Sequence, residues 1–335
     1  MEKQRTSSLW FLTGLFLAFA FYSSAQTKII FDTDFGGDAD DLGALAMLNH
    51  FQNKDEIDLL AVMCWSTEKY AVSAVDAVNT FYGNPNIPIG RRAEDPQITH
   101  WNHTKVLADN LAHDTSYQNA TETTALYRKL LAESRDQSIT LVTVGPLLNI
   151  KRLIDSKADS HSSLSGLDLM YTKIKEMVIM GGQFPTGERR EWNFDGNMLG
   201  VTKDILGKLG DIPITFLGYE LGVDLKTGEV FNDLPKDSPL YLGFYHFSKY
   251  APWLNHQFQG KIYDNSTYDQ TAVLYAVRDG VGAYWTRSEG GICIPDDEGR
   301  NTWQPSPTSK HSYLVLNWPR EKMEIEIEKF MLGKF

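Results

Sequence analysis

Five aspartates fall within the ten residues Asp32-Thr33-Asp34-Phe35-Gly36-Gly37-Asp38-Ala39-Asp40-Asp41. Carboxylates at that density repel one another unless a positive charge sits among them. All the donors are oxygens, so the hard divalent cations calcium and magnesium suit them best. Gly36 and Gly37 allow the backbone to turn sharply enough for several side chains to converge. An EF-hand loop would need a bidentate glutamate at its twelfth position. Counted from Asp32, that position is Gly43, which excludes the motif.

The aspartates need elements to hold them. Apolar runs predict strands over 28–32, 59–64, 138–144, 176–180, 212–217 and 312–318. Helical spacing predicts helices over 41–51, 70–82, 123–134, 147–155, 199–209 and 269–278. After Pro319, which suits the first turn of a helix, Met323, Ile325 and Ile327 alternate with glutamates and also fit a strand. Repeated βα units imply a single α/β domain: a mostly parallel open sheet flanked by helices, Rossmann-like. No linker or internal repeat interrupts it. The aspartate loop then sits at the carboxyl end of the first strand, where such sheets bind ligands. A phosphotransferase of the haloacid dehalogenase type also opens with Asp-x-Asp after a strand. It would need a later lysine and an acidic pair at a strand end, and no convincing pair is present. An acidic helix N-terminus, favoured by the helix dipole, accounts for Asp40 or Asp41. It does not account for Asp32 and Asp34 at the end of an apolar strand.

The 335 residues carry 43 acidic and 32 basic side chains, a net charge of −11. That balance argues against a partner such as a nucleic-acid polymer or an anionic membrane surface, both of which want a basic face. A small ligand in a pocket remains open. The two cysteines, Cys64 and Cys293, are too few for a disulfide scaffold or a Cys-rich zinc site. At the N-terminus, Lys3 and Arg5 precede an apolar run over 9–22, and Ser23-Ser24-Ala25 follows. These are the parts of a secretory signal peptide over 1–25, cut near Ala25. The run is short for a bilayer span, which needs about 20 residues. The expected product is an exported domain over 26–335, periplasmic or secreted, with no membrane span after cleavage. There Cys64 and Cys293 either pair or stand apart as buried thiols.

The order strand-Asp-x-Asp-x-Gly-x-Asp-x-Asp-Asp-helix resembles the N-terminal signature of the inosine-uridine preferring nucleoside hydrolases, loose by one residue at Gly36-Gly37. Three further segments resemble the family's in the same order. Thr143-Val144-Gly145-Pro146-Leu147-Leu148-Asn149 is similar to its Gly-Pro-Leu-x-Asn turn. Met180-Gly181-Gly182 with Glu191-Trp192-Asn193 is similar to its Met-Gly-Gly…Glu-Phe-Asn segment. Tyr268-Asp269-Gln270, leading into Ala-Val, is similar to its late helix start. Together they span Ile29 to about Arg278.

The resemblance implies the nucleoside hydrolase fold and hydrolysis of the N-glycosidic bond of ribonucleosides to free base and ribose. It implies one Ca2+ at the pocket floor, on Asp34, Asp41, Asp269 and the backbone carbonyl of Val144. Asp34 would be the general base toward a cation-activated water. Asp40 would hydrogen-bond a ribose hydroxyl, and Glu191 and Asn193 would hold the far side of the sugar. The chemistry agrees: an oxocarbenium-like sugar wants carboxylates around it in a dry pocket, and a bound cation lowers the pKa of its water. Trp65, Trp192 and Tyr268 are candidates to stack on the base. By analogy with the family, the chain would form a homodimer or homotetramer.

The leaving-group side departs from the family. Tyr268 stands where some members place a histidine acid, and tyrosine, with an ordinary pKa near ~10, is a poor acid. The acid could instead come from His246 or His256 in the aromatic stretch 245–259, which reads as a loop, or there is none. Cys64 to Thr67 stand where an asparagine is sought, and no clear asparagine partner occurs over 183–190. Two other readings therefore stay open: a same-fold hydrolase of another N-riboside, and an exported, calcium-stabilised ribose- or nucleoside-binding protein without turnover.

Overall fold

The structure is a computed structural model, and it describes residues 26–99 and 101–335. The expected signal peptide over 1–25 lies outside the described residues. Among the described residues no helix is long and apolar enough to cross a membrane.

Strand β1 (Thr27–Thr33) runs through the middle of the sheet, parallel to β2 (Ile57–Cys64) on one side. β3 (Ile89–Arg91) and β4 (Thr121–Glu122) extend that side. On its other edge lies β5 (Ile139–Thr143), also parallel, followed by β6 (Ile174–Met180) and β7 (Ile214–Leu217). A separate two-stranded sheet pairs β8 (Lys226–Thr227) antiparallel with β9 (Asn265–Ser266). Strands β10 (Trp285–Arg287), β11 (Gly291–Pro295), β12 (Asn301–Pro305) and β13 (His311–Leu316) complete the far edge. There β13 runs parallel to β7, while β10 and β11 pair antiparallel with β13, and β12 with β11. The result is a mostly parallel, mixed sheet in one domain. The antiparallel edge was not read from the sequence. Gly291–Pro295 alternates buried and exposed residues, as half-buried strands do, but it is short.

Successive side chains of β1 point to opposite faces. Ile29 and Phe31 enter one hydrophobic core and Ile30 the other. The first core is covered by the helices Asp40–Asn53, Ala71–Phe81, Asp269–Arg278 and Arg320–Met331. The second is covered by Thr123–Glu133, Leu148–Asp155, Gly166–Lys173 and Val201–Lys208. The C-terminal segment is helix rather than strand. Met323, Ile327, Phe330 and Met331 are buried at helical spacing while Ile325 is 54% exposed, so burying one stripe decides the period.

Helix Asp40–Asn53 is buried nearly all round. Its Gly43 lets a neighbouring helix close in: a Cβ there would lie 2.4 Å from Gln270 Nε2. That approach brings the starts of Asp40–Asn53 and Asp269–Arg278, and their first-turn aspartates, together. Cys64 and Cys293 are separate, free and buried thiols, and burial pushes both up.

Candidate active site

β1 has β2 on one side and β5 on the other, and chain order reverses there. Loop 34–39 leaves β1 at this topological switch point, where open α/β sheets bind ligands. Gly36 makes the turn at φ +108°, and a Cβ there would lie 2.3 Å from Asn102 Oδ1. Only glycine meets both demands.

The five aspartates of the loop divide by environment. Asp32 lies beneath the floor, accepting from Tyr127 Oη at 2.7 Å and from Asn149 Nδ2 at 3.2 Å. Burial pushes it up to about 7. It ties β1 to two helices and faces no ligand space. Asp40 and Asp41 join Asp269: all three are buried, and each offers an oxygen within 4.8 Å of the others. Burial, then repulsion from one another and the neighbouring aspartates, raises all three well above the usual carboxylate range. Thr33 Oγ1 donates to Asp41. The amides of Tyr268 and Asp269 donate to Asp40 at 3.3 and 3.4 Å.

Asp34 stands beside this trio, with its Oδ2 accepting from Trp192 Nε1 at 2.8 Å. Burial pushes it up to about 6. Asp38, which the sequence reading left without a role, faces the same space and is also pushed up to about 6, chiefly by burial. It accepts from its neighbour's amide, Ala39 N, at 2.6 Å and from Asn265 Nδ2. Carboxylates forced together out of water want a cation. The trio fits a hard divalent ion by donor type and by its uncompensated charge.

These groups open into a cavity of about 870 Å³. Asp34, Asp38, Asp40, Asp41, Glu68, Glu191 and Asp269 contribute seven carboxylates to its lining, and Val144, Asn193, Trp65, Trp192 and Tyr268 also face it. The metal and sugar candidates from the sequence and the three candidate stacking rings therefore meet in one space. Val144 immediately follows β5, and its carbonyl accepts from Asn193 Nδ2 at 2.8 Å.

Glu191 caps the short helix Trp192–Asp195. It accepts from the amides of Gly182 at 2.8 Å, Asn193 at 3.0 Å and Phe194 at 3.1 Å. Those bonds occupy three of its roughly four acceptor positions. It fixes the wall as much as it faces the cavity, and burial pushes it up to about 7.

Aromatic rings line the remaining wall. Trp65 meets Trp192 edge-on at 6.2 Å, and Trp101 meets Trp253 at 5.2 Å. Tyr268 stacks on Tyr219 at 5.5 Å and 26°, and Arg189 lies 3.9 Å from the Tyr219 ring centre. Burial pushes the Tyr268 hydroxyl up, which weakens it further as an acid. His246 and His256 do not line the cavity. The stretch 245–259 is not a loop throughout, because His246 belongs to the helix Pro239–Tyr250, started by Ser238. Its ring packs on Tyr250 at 4.6 Å, and His256 sits in the exposed turn Asn255–Gln257. Arg189, Tyr219, Trp101 and Trp253 were missed by the sequence reading. They lie outside the matched motifs, and only the fold brings them together.

A buried carboxylate trio lies at the switch point of a mostly parallel sheet, in a cavity walled by aromatic rings. The chain belongs to the inosine-uridine preferring nucleoside hydrolase family, whose sequence model matches residues 29–302. It is similar in fold to a plant nucleoside hydrolase, PpNRh1, at 16% identity and a TM-score of 0.65, covering 91% of this chain and 98% of that one. The purine-preferring ribonucleoside hydrolase of Gardnerella vaginalis is also similar, at 16% identity and a TM-score of 0.64, with 92% and 99% covered. The type III effector protein XopQ, complexed with adenosine diphosphate ribose, matches at 14% identity and a TM-score of 0.60, with 93% of each chain covered. None of the curated proteins compared matches the chain.

Proposed function

We propose that residues 26–335 form an exported hydrolase that cleaves the N-glycosidic bond of ribonucleosides with the help of one calcium ion. The observation that carries this is the buried trio Asp40, Asp41 and Asp269 at the floor of the cavity. Three carboxylates with no cation among them are costly to fold and make chemical sense as ligands. Asp41 and Asp269 would hold the ion, with Asp34 and the Val144 carbonyl beside them, and Asp40 would be shared with a ribose hydroxyl. When bound, the cation would lower the pKa of water at the site.

The chain's own groups account for the rest. Asp34, oriented by the Trp192 indole, takes a proton from the attacking water as general base. The hydroxide joins C1′ of the sugar, and the bond's electron pair leaves with the base. Positive charge builds on the ribose as the bond breaks, and the surrounding carboxylates stabilise it. Asn193 and Glu191 hold the sugar from the opposite wall. Trp65, Trp192 and Tyr268 offer faces to the base.

A second reading, a ribose- or nucleoside-binding protein without turnover, draws on the leaving-group side. Tyr268 is a poor proton donor, and the neighbour XopQ is complexed with adenosine diphosphate ribose. Base release from ribonucleosides, measured with calcium and with chelator, separates the two. Calcium-dependent release supports the hydrolase, and thermal stabilisation by nucleoside without release supports the binding protein.

A further inference from the structure

Breaking a C1′–N bond puts negative charge on the departing base. Something on that side of the cavity must offset it, and the carboxylates cannot. Among the described residues, no histidine and no lysine lines the cavity, and Arg189 is the only cationic side chain that does.

Its setting is unusual for an exposed arginine. Arg190, next in the chain, pairs with Asp195 at 2.6 Å. Arg189 has no ion pair or hydrogen bond among the described residues, although carboxylates surround the cavity. Instead its guanidinium lies on Tyr219, 3.9 Å from the ring centre, and Tyr219 stacks on Tyr268 at 5.5 Å. Tyr268 immediately precedes the cluster residue Asp269. A guanidinium held over a ring, with no hydrogen bond or ion pair among the described residues, keeps its N–H groups free to donate. The two tyrosine rings fix it in place, so little reorganisation is needed when charge appears.

We propose that Arg189 is a catalytic residue that stabilises the departing base electrostatically, in place of an acid. This rests on the N-ribohydrolase reading above. In the step, the C1′–N bond breaks and its electron pair goes to the base. The guanidinium N–H groups donate to the base nitrogen or carbonyl oxygen that gains the charge. Water gives its hydroxyl to C1′ and its proton to Asp34, and the base anion takes a proton from solvent water as it leaves. Arg189 keeps its own protons throughout. Tyr219 and Tyr268 act through it as positioning residues.

The test compares two leaving groups. Wild type and Arg189→Ala are assayed, with calcium, on a purine ribonucleoside and on p-nitrophenyl riboside, whose leaving group is already a stable anion. The proposal expects kcat on the nucleoside to fall ~100-fold, the scale for removing one preorganised donor. It expects a loss on p-nitrophenyl riboside at least tenfold smaller, and partial recovery on the nucleoside when guanidinium chloride is added to the variant. Equal losses on both substrates would overturn it, as would a rise in KM with kcat unchanged. Wild type that releases base while Arg189→Ala matches it refutes the arginine alone. Wild type that cleaves neither riboside refutes the hydrolase reading and this inference together.

Discussion

Replacing Trp192 with phenylalanine isolates one hydrogen bond. Trp192→Phe keeps an aromatic ring at the wall but removes the indole N–H that donates to Asp34 Oδ2 at 2.8 Å. That donor favours the ionised carboxylate, and it opposes the burial that pushes Asp34 up to about 6. A hydrogen bond to a charged group contributes about 1.5–3 kcal/mol, and 1.36 kcal/mol corresponds to one pKa unit. Part of that is recovered by water, because Trp192 is 48% exposed. The expected net effect is a rise in the Asp34 pKa of about one unit. A general base must be ionised to act, so the acid limb of kcat/KM should move about one pH unit upward. On the acid side of the limb activity should fall several-fold, and at pH 8.5 it should stay near wild type. The assay is base release from a ribonucleoside over pH 5–9 at saturating calcium. An unmoved acid limb, or a uniform loss at every pH, would refute the assignment of Asp34 as the base held by Trp192.

Asp34→Asn should abolish turnover while leaving the thermal unfolding midpoint near wild type; a variant with most of its activity would remove Asp34 from the mechanism. Asp269→Ala takes one oxygen ligand from the trio and should weaken calcium binding at least tenfold by calorimetry; unchanged affinity would refute the site as drawn. Asp34 and Asp38 are pushed from 3.8 to about 6, so the folded chain holds protons that the unfolded chain releases between about pH 4 and 6. The metal-free protein should therefore lose stability as pH rises through that window, and calcium should raise the midpoint more at pH 7.5 than at pH 5. A calcium effect independent of pH, read by thermal unfolding, would contradict this. Gly36→Ala forces a Cβ against Asn102 at a positive φ and should lower stability by about 1–3 kcal/mol together with calcium affinity; a neutral result would show that the loop relaxes freely.

The floor of the site was legible because its signals are local. An apolar strand, a run of aspartates and two glycines sit side by side in sequence, and each reports its own environment. Asp269 was legible only through the resemblance to the family's late helix start; alone, an aspartate at a helix start reads as a plain cap. The wall was not. Arg189, Tyr219, Trp101 and Trp253 come from segments far apart in the chain, and side chains of these types usually pack or face solvent without binding anything. His246 misled because its aromatic neighbours suggested a loop, while Ser238 and Pro239, lying upstream, start a helix that carries it away from the cavity. The antiparallel strands β10–β12 were missed because they are only three to five residues long, and pairing with β13 and with each other rather than intrinsic preference makes them strands.

Release of free base from a panel of purine and pyrimidine ribonucleosides by residues 26–335, with calcium and then with chelator, tests the central claim most directly. The account predicts base and ribose in equal amounts, dependent on calcium and lost in Asp34→Asn. Folded protein that binds calcium yet releases no base from any ribonucleoside would contradict it.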